Sequence, residues 1–340
     1  MKILLVGPDY PDTPIRSLYN LLKIEHQVQV FDPFKYIGPI IGLGNQLNMI
    51  TAAWQYLLKA TIREPFKVSN QYLVKFCKDF KPDLVFIISI DLILPEVIEK
   101  IKSDLNTTVI GWYMDHIANF GRCYFMAAHY DVLFFKDTFI VNLLRRKFCS
   151  SKIYYLPQCC DPALHKPVTL TDKEKSIYGC DLTIAGNLYY YRVQMLEQFS
   201  EYNIKIWGSR QSWIKTVLNK KHMGCAVYGL EKSKAMLASK IVLNNCHYAE
   251  IDGVNKRTFE VAGCGAFQLA DSPGISEFFK EGSEIITFTT KDDLKEKVDY
   301  FLSHEKERKT IAALAQKRAY EEHTYAHRWK KILEVLYNSQ

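Results

Sequence analysis

No stretch of this 340-residue chain approaches the ~18 consecutive apolar residues of a membrane span. The start holds four apolar residues in a row before Gly7-Pro8. A secretion signal needs an apolar core of ~7–15, so no signal peptide is expected. C-x-x-C does not occur, the cysteine count of 9 is odd, and Cys159-Cys160 are adjacent. That pattern suits neither a zinc site nor a disulfide framework. It points to free thiols in a reducing cytoplasm, most of them serving as small buried apolar residues. Charge of one sign is also scarce. The net +7 divides into +4 over residues 1–157 and +3 over the remainder. A nucleic-acid binder concentrates basic residues in a stripe, so no nucleic acid is expected. Anionic small ligands and an acidic membrane surface stay open.

Two further absences bear on chemistry. No D-x-D motif, one sequence signature of a metal site, is present, and no metal and no cofactor is expected. The dinucleotide fingerprint also fails. Gly42-Leu43-Gly44 and Gly263-Cys264-Gly265 lack the next glycine, where Leu47 and Gln268 stand.

What is present is ordinary globular composition, 48% apolar and 24% charged, in a length that suits about two domains. Lys2–Val6, a Gly/Pro loop, a helix over Ile15–Ile24 and a strand over Gln27–Phe31 read as the start of a parallel α/β unit. The apolar runs Leu84–Ile90, Val109–Trp112 and Val132–Phe135 fit strands buried on both faces. Helices are expected over Ser69–Phe80 and Leu94–Leu105. Residues 37–58 read as an insertion over this domain, either a lid or an interfacial element.

A break at Tyr155–Pro162, with polar residues to Ser176, reads as the interdomain linker. A second alternation follows, with strands at Cys180–Ala185, Ile204–Trp207, Ile241–Asn244, Ala266–Ala270 and Ile285–Phe288. Helices are expected between them and to the end of the chain. Ligands of parallel sheets bind beyond the carboxyl ends of the strands. That directs attention to the loops at Gly7–Pro14, Ser89–Pro95 and Trp112–Asn119 in the first half, and at Gly186–Arg192, Trp207–Arg210, Asn244–Glu260 and Asp271–Gly274 in the second.

The loop at Asn244–Glu260 carries the most chemistry. A strand ends near Asn244, a polar loop with the flexible Gly253 follows, and a helix starts after Asn255, a plausible N-cap. A helix N-terminus offers free N–H groups to phosphate. Lys256 and Arg257 in the first turn oppose the helix dipole and fit there best beside an anion. A solvated basic turn is the plainer alternative. Glu260 can accept hydrogen bonds from two ribose hydroxyls, or simply pair with Lys256 at i,i+4. Asp115, just past a strand of the first domain, is the candidate general base, with His116 and Asp91 as runners-up. His323 and His327 are spaced like a metal pair but lack an evident third ligand; capping or packing is the expected role.

The run Asn255-Lys256-Arg257-Thr258-Phe259-Glu260-Val261-Ala262-Gly263-Cys264-Gly265-Ala266-Phe267-Gln268-Leu269 resembles the signature of CgeB-like glycosyltransferases, relatives of glycosyltransferase group 1. Asp181–Asn187 with Arg192, Tyr155-Leu156-Pro157 before Asp161-Pro162, Ile206-Trp207-Gly208, Glu281–Ile285, Glu322–Arg328 and Trp112-Tyr113-Met114-Asp115 agree in order. The resemblance covers about residues 110–330. It implies the GT-B fold, two facing Rossmann-like domains with a cleft between them. Residues 1–160 would hold the acceptor, residues 161–322 the nucleotide sugar, and the terminal helix of 323–340 would pack back on the first domain. The resemblance also implies an E-x7-E pattern, here Asp252 and Glu260, with Asp in place of the first Glu. Gly186, Asn187 and Arg192 would approach the donor diphosphate. Trp207, Gly208, Tyr228 and Gly229 would lie near the nucleobase; for Trp207 a core position is the alternative.

The expectation is a metal-independent glycosyltransferase. Arg257 would stabilise the leaving diphosphate, and Asp115 or His116 would serve as base if the transfer inverts. The acceptor is a glycan, a protein or a lipid-linked molecule, with peripheral membrane association left open. The alternatives are a sugar-nucleotide epimerase of the same fold and a non-catalytic nucleotide- or sugar-binding protein.

Overall fold

The structure is a computed structural model. It describes residues 1–36, 66–88, 92–115, 117, 126–148, 150 and 152–338. The insertion read at 37–58, together with Asp91 and His116, lies outside the described residues. The chain divides into two compact units. One comprises Met1–Lys136 and Ile140–Leu156, the other Asp137–Phe139 and Pro157–Gln340.

The first unit is built on six parallel strands in the order β2-β1-β3-β4-β5-β6. These are β1 Lys2–Val6, β2 Gln27–Phe31, β3 Leu84–Ile88, β4 Thr108–Tyr113, β5 Val132–Phe135 and β6 Ile153–Tyr155. Every residue of β3 and β5 is buried. Apolar runs of this kind form only where helices cover both faces of a sheet. The edge strand β2 instead alternates Gln-Val-Gln-Val and stays half exposed. Helices α1 Pro14–Leu22, α2 Lys67–Phe80, α3 Pro95–Leu105 and α4 Thr138–Phe148 connect the strands. Thr13 caps α1 by accepting from the Arg16 N–H, and Pro14 opens the helix where its missing N–H costs nothing.

The second unit has five parallel strands in the order β11-β10-β9-β7-β8. They are β7 Cys180–Ala185, β8 Ile204–Trp207, β9 Ser239–Asn244, β10 Gln268–Ala270 and β11 Ile286–Thr287. Its helices are α5 Asp172–Tyr178, α6 Tyr190–Leu196, α7 Gly229–Leu237, α8 Lys256–Cys264, α9 Lys291–Ser303, α10 Glu305–Glu322 and α11 Tyr325–Asn338. Leu182, Ile184, Ile206, Ile241 and Leu269 form the centre of its core. Each fully buried side chain of that size contributes roughly 1.5–3 kcal/mol. From β7 the chain goes to β8 on one side and then to β9 on the other, so the order reverses between β7 and β9. Such a reversal leaves a crevice at the carboxyl ends of the two strands.

The polar stretch after Pro162, read as linker, contains a helix. Thr171 and Glu174 form a capping box around the start of α5, and of its seven residues only Tyr178 is buried. Local capping, not an apolar stripe, holds this element. Helix α4 and strand β6 are likewise additions to the sequence reading. Among the described residues, no helix is long and apolar enough to cross a membrane.

Candidate functional site

The crevice between β7 and β9 gathers most of the expected residues. Asn244, the last residue of β9, is fully buried and makes four hydrogen bonds. Its Nδ2 donates to Thr258 Oγ1 (3.0 Å) and Gln268 Oε1 (2.8 Å). Its Oδ1 accepts from Asn255 Nδ2 (3.0 Å) and Arg257 Nη1 (3.2 Å). Asn244 therefore fixes the first turn of α8 against the sheet. Asn255 caps that helix, its Oδ1 accepting the Thr258 N–H at 3.1 Å.

Arg257 is half-buried and turned toward β7, where its Nε donates to the Ala185 carbonyl (2.6 Å). Its guanidinium lies directly beneath Gly186. A Cβ built on Gly186 would stand 3.0 Å from Arg257 Cζ and 3.4 Å from Arg192 Nη1. The two guanidinium groups thus flank one glycine. Burial, and then the charge of Arg192, push the Arg257 pKa down to about 10. Two like charges held together at the positive end of a helix form a site that an anion would relieve.

Arg192 is buried and differs from Arg257 in what it holds. Its Nε donates to Asn245 Oδ1 (2.7 Å), its Nη2 to the Asn245 carbonyl (3.1 Å) and the Tyr191 hydroxyl (3.4 Å), and its Nη1 to the Asn187 carbonyl. Tyr189 and Tyr191 lie against its guanidinium at 5.8 and 5.7 Å. His247 packs edge-on to both rings. All three guanidinium nitrogens thus tie the loop after β7 to the loop after β9. Asn187 extends the tie to the loop after β8, its Oδ1 accepting from Ser209 N (3.2 Å) and Oγ (2.7 Å).

Asp271, just past β10, accepts the Cys246 N–H at 2.5 Å. Burial raises its pKa to about 6, against the opposing pull of that hydrogen bond and of Arg192 and Arg257. The sequence pattern puts Asp271 in a loop past a strand's carboxyl end, but nothing in it marks this carboxylate as a buried one.

Glu260 lies one turn along α8 and is 4% exposed. Its Oε1 pairs with Lys256 Nζ at 2.9 Å and with Lys232 Nζ at 3.0 Å. The i,i+4 pair read as the plainer alternative is therefore present, and a second lysine joins it. Tyr228 and Gly229 open α7, the helix that carries Lys232. Tyr228 is exposed, and Gly229 has a φ of +52°.

Trp207 is buried and packs on Tyr178 with ring centroids 5.4 Å apart, beside Ala235. It occupies the core position weighed in the sequence reading. Gly208 has a φ of +151° and lies against the Gly186 backbone. Asp252 is exposed. The backbone N–H groups of Ile251, Asp252 and Gly253 converge on Asp137 Oδ2 at 3.1, 3.2 and 3.1 Å. A carboxylate of the protein itself thus shapes the loop before α8. Asp115 is exposed in the first unit, two residues past β4. His323 is buried among Phe259, Phe278 and Phe279, with Nε2 3.1 Å from the Phe278 carbonyl. His327 Nδ1 lies 2.9 Å from Thr324 Oγ1. Both histidines have packing or capping surroundings.

Residues 192–334 match the model of a family described as "Glycosyl transferase-like". Among curated proteins, the chain is similar to the spore protein CgeB of Bacillus subtilis. The two are 28% identical over 179 residues, 47% of this chain and 54% of that protein. The alignment therefore spans about half of the relative's length. Among solved structures, the chain is similar to a sucrose-phosphate synthase from Thermosynechococcus elongatus, with a TM-score of 0.69, 9% identity and full coverage of both chains. It is also similar to HepE of Anabaena in complex with UDP-glucose, with a TM-score of 0.66, 13% identity and coverage of 99% and 100%. The resemblance to CgeB-like glycosyltransferases read from the residue blocks is found by these comparisons as well. The fold is that of GT-B glycosyltransferases, two Rossmann-like α/β domains.

Proposed function

We propose that the chain is a glycosyltransferase that takes a sugar from a nucleoside-diphosphate sugar. The observation that carries this reading is the position of Arg257. It stands in the first turn of α8 at the β7/β9 reversal, where the helix dipole and a second guanidinium favour an anion. HepE, one of the similar structures, was solved with UDP-glucose bound.

In this account the second unit binds the donor. The N-terminus of α8 and Arg257 receive the diphosphate and stabilise the charge that develops as the glycosidic bond breaks. Such fixed cations do the work a divalent metal does elsewhere, so transfer needs no metal. Arg192 keeps the three surrounding loops in register and acts through them. Glu260 accepts from the ribose hydroxyls, with Gly208, Tyr228 and Gly229 toward the nucleobase. Asp115 of the first unit serves as base if the transfer inverts, or orients the acceptor if it retains. The acceptor is a glycan, a protein or a lipid-linked molecule. Six of the seven free cysteines among the described residues are buried, which fits a cytoplasmic enzyme.

A thermal-shift screen of nucleotides and nucleotide sugars tests the reading. A ligand that binds only the native state raises Tm by mass action. Stabilisation by a nucleoside diphosphate and its sugar is the expected result. No shift with any of them would refute it. Transfer that stops with EDTA and returns with manganese would refute metal independence alone.

A further inference from the structure

The Glu260 carboxylate is surrounded more completely than a ribose-binding glutamate on a helix surface would need. Lys256 comes from its own helix, and Lys232 reaches the same Oε1 from α7. A third group, His165, comes from the segment that follows the passage into the second unit. It is fully buried, with Nε2 3.4 Å from Glu260 Oε1.

The orientation of that imidazole follows from its neighbours. The turn Asp161–His165 closes through Leu164 N and His165 N, both donating to the Asp161 carbonyl (3.0 and 2.7 Å). His165 Nδ1 accepts the Asp161 N–H at 3.0 Å. A ring nitrogen that accepts carries no proton, so the hydrogen-bond network assigns the proton to Nε2. The Nε2–H edge therefore lies toward the carboxylate, at 3.4 Å from Oε1 and short of hydrogen-bond geometry. The turn is itself clamped. Ser233 Oγ of α7 donates to the Leu164 carbonyl (2.7 Å), and the Tyr320 hydroxyl of α10 donates to the His165 carbonyl (3.0 Å).

We infer that Lys232 and His165 are positioning residues for Glu260. Lys256 and Lys232 pair with Oε1 and His165 lies against it, so three elements of the fold set the orientation of the carboxylate. The inference rests on the reading of Glu260 as the ribose-binding group. It predicts that ribose recognition, as distinct from overall affinity, depends on side chains that never touch the nucleotide. A carboxylate with one oxygen fixed cannot swing away when the ribose arrives, so both hydroxyls meet a preformed acceptor. Preorganisation of this kind sharpens discrimination, because an analogue lacking the hydroxyls leaves a buried acceptor unpaired.

The test compares UDP or GDP, whichever binds, with its 2′,3′-dideoxy form by calorimetry. Wild-type protein should prefer the ribonucleotide roughly tenfold or more, the range for a hydrogen bond to a charged group. Glu260→Gln should reduce that preference. Lys232→Met and His165→Phe should each reduce it as well, chiefly by weakening the ribonucleotide, while affinity for the dideoxy form stays near wild type. His165→Gln, which keeps an N–H at the Nε2 position, should restore part of it. If Glu260→Gln loses the preference while Lys232→Met and His165→Phe keep it, the positioning role is refuted and the ribose reading stands. Equal weakening of both nucleotides in the two variants refutes it too, since it marks a packing role. If wild type itself shows no ribose preference, the reading of Glu260 fails and the positioning role fails with it. Should His165→Phe not fold, Lys232→Met alone decides.

Discussion

Gly186→Ala separates the function of the crevice from its stability. The added methyl would sit 3.0 Å from Arg257 Cζ, with Arg257 Nη2 nearer still. The guanidinium must move. It is held by the Ala185 carbonyl at 2.6 Å and by Asn244 Oδ1 at 3.2 Å, so moving it stretches or breaks one or both bonds. Overpacking costs about 1–3 kcal/mol. The displaced group is the far end of a flexible side chain rather than backbone, so the low end applies, about 1 kcal/mol. For a domain of this size that is a Tm decrease of roughly 2–4 °C. The effect on transfer is larger. Misplacing a donor aimed at developing charge slows reactions by about 10²–10³. Gly208→Ala is the control. Its methyl would stand 2.6 Å from the Gly186 carbonyl carbon, and its φ of +151° is one that L side chains rarely adopt. Backbone cannot rotate away, so Gly208→Ala should lose clearly more stability. Urea denaturation gives the stabilities, and release of nucleoside diphosphate from the donor sugar gives the rates. Full activity in Gly186→Ala, or a stability loss as large as in Gly208→Ala, would refute the placement of Arg257 as the functional cation.

Arg192→Ala should lower Tm and donor affinity together, because it removes the donor to Asn187, Tyr191 and both oxygens of Asn245. Arg192→Lys should not rescue it, since an ammonium cannot reproduce the guanidinium fork; unchanged Tm in Arg192→Ala would contradict this role. Asp271, with its pKa raised to about 6, favours the folded state in its protonated form. That stability is fully present below about pH 4 and is lost as pH rises through about 6. Asp271→Asn should therefore be more stable than wild type at pH 7, by about 3 kcal/mol, and no more stable at pH 4. Equal stabilities at pH 7 would count against it. Arg328 is buried and donates to the Pro157 carbonyl (2.9 Å), the Gln158 carbonyl (2.9 Å) and the Glu322 carbonyl (3.2 Å). Arg328→Met should cost about 2–4 kcal/mol by leaving buried carbonyls unpaired, measured by denaturant titration, with a loss below 1 kcal/mol refuting it.

The strands were the most legible part of the sequence, because Leu84–Ile88 and Val132–Phe135 are apolar on both faces and little else produces such runs. Helix α5 was not legible. It buries one residue and is set by Thr171 and Glu174, so it carries no apolar period. The segment from Asn244 to Glu260 could be read locally, because cap, cations and carboxylate follow one another on a single strand–loop–helix. What surrounds it could not. Lys232 and His165 reach Glu260 from other elements, and the contact exists only after the fold forms. Arg192 shows a different limit. Its proximity to Gly186 was readable, but whether it faces a ligand or the loops depends on acceptors at Asn187 and Asn245 that only packing supplies.

In the proposed function, Arg257 and the start of α8 hold a diphosphate at the β7/β9 reversal. Calorimetry of the nucleoside, its monophosphate and its diphosphate, on wild type and on Arg257→Ala, tests it directly. A charge-assisted hydrogen bond contributes about 1.5–3 kcal/mol, so the diphosphate should bind wild type roughly 10–100-fold more tightly than the monophosphate. Arg257→Ala should remove most of that difference and leave nucleoside affinity in place. A diphosphate preference that survives in Arg257→Ala would contradict the account.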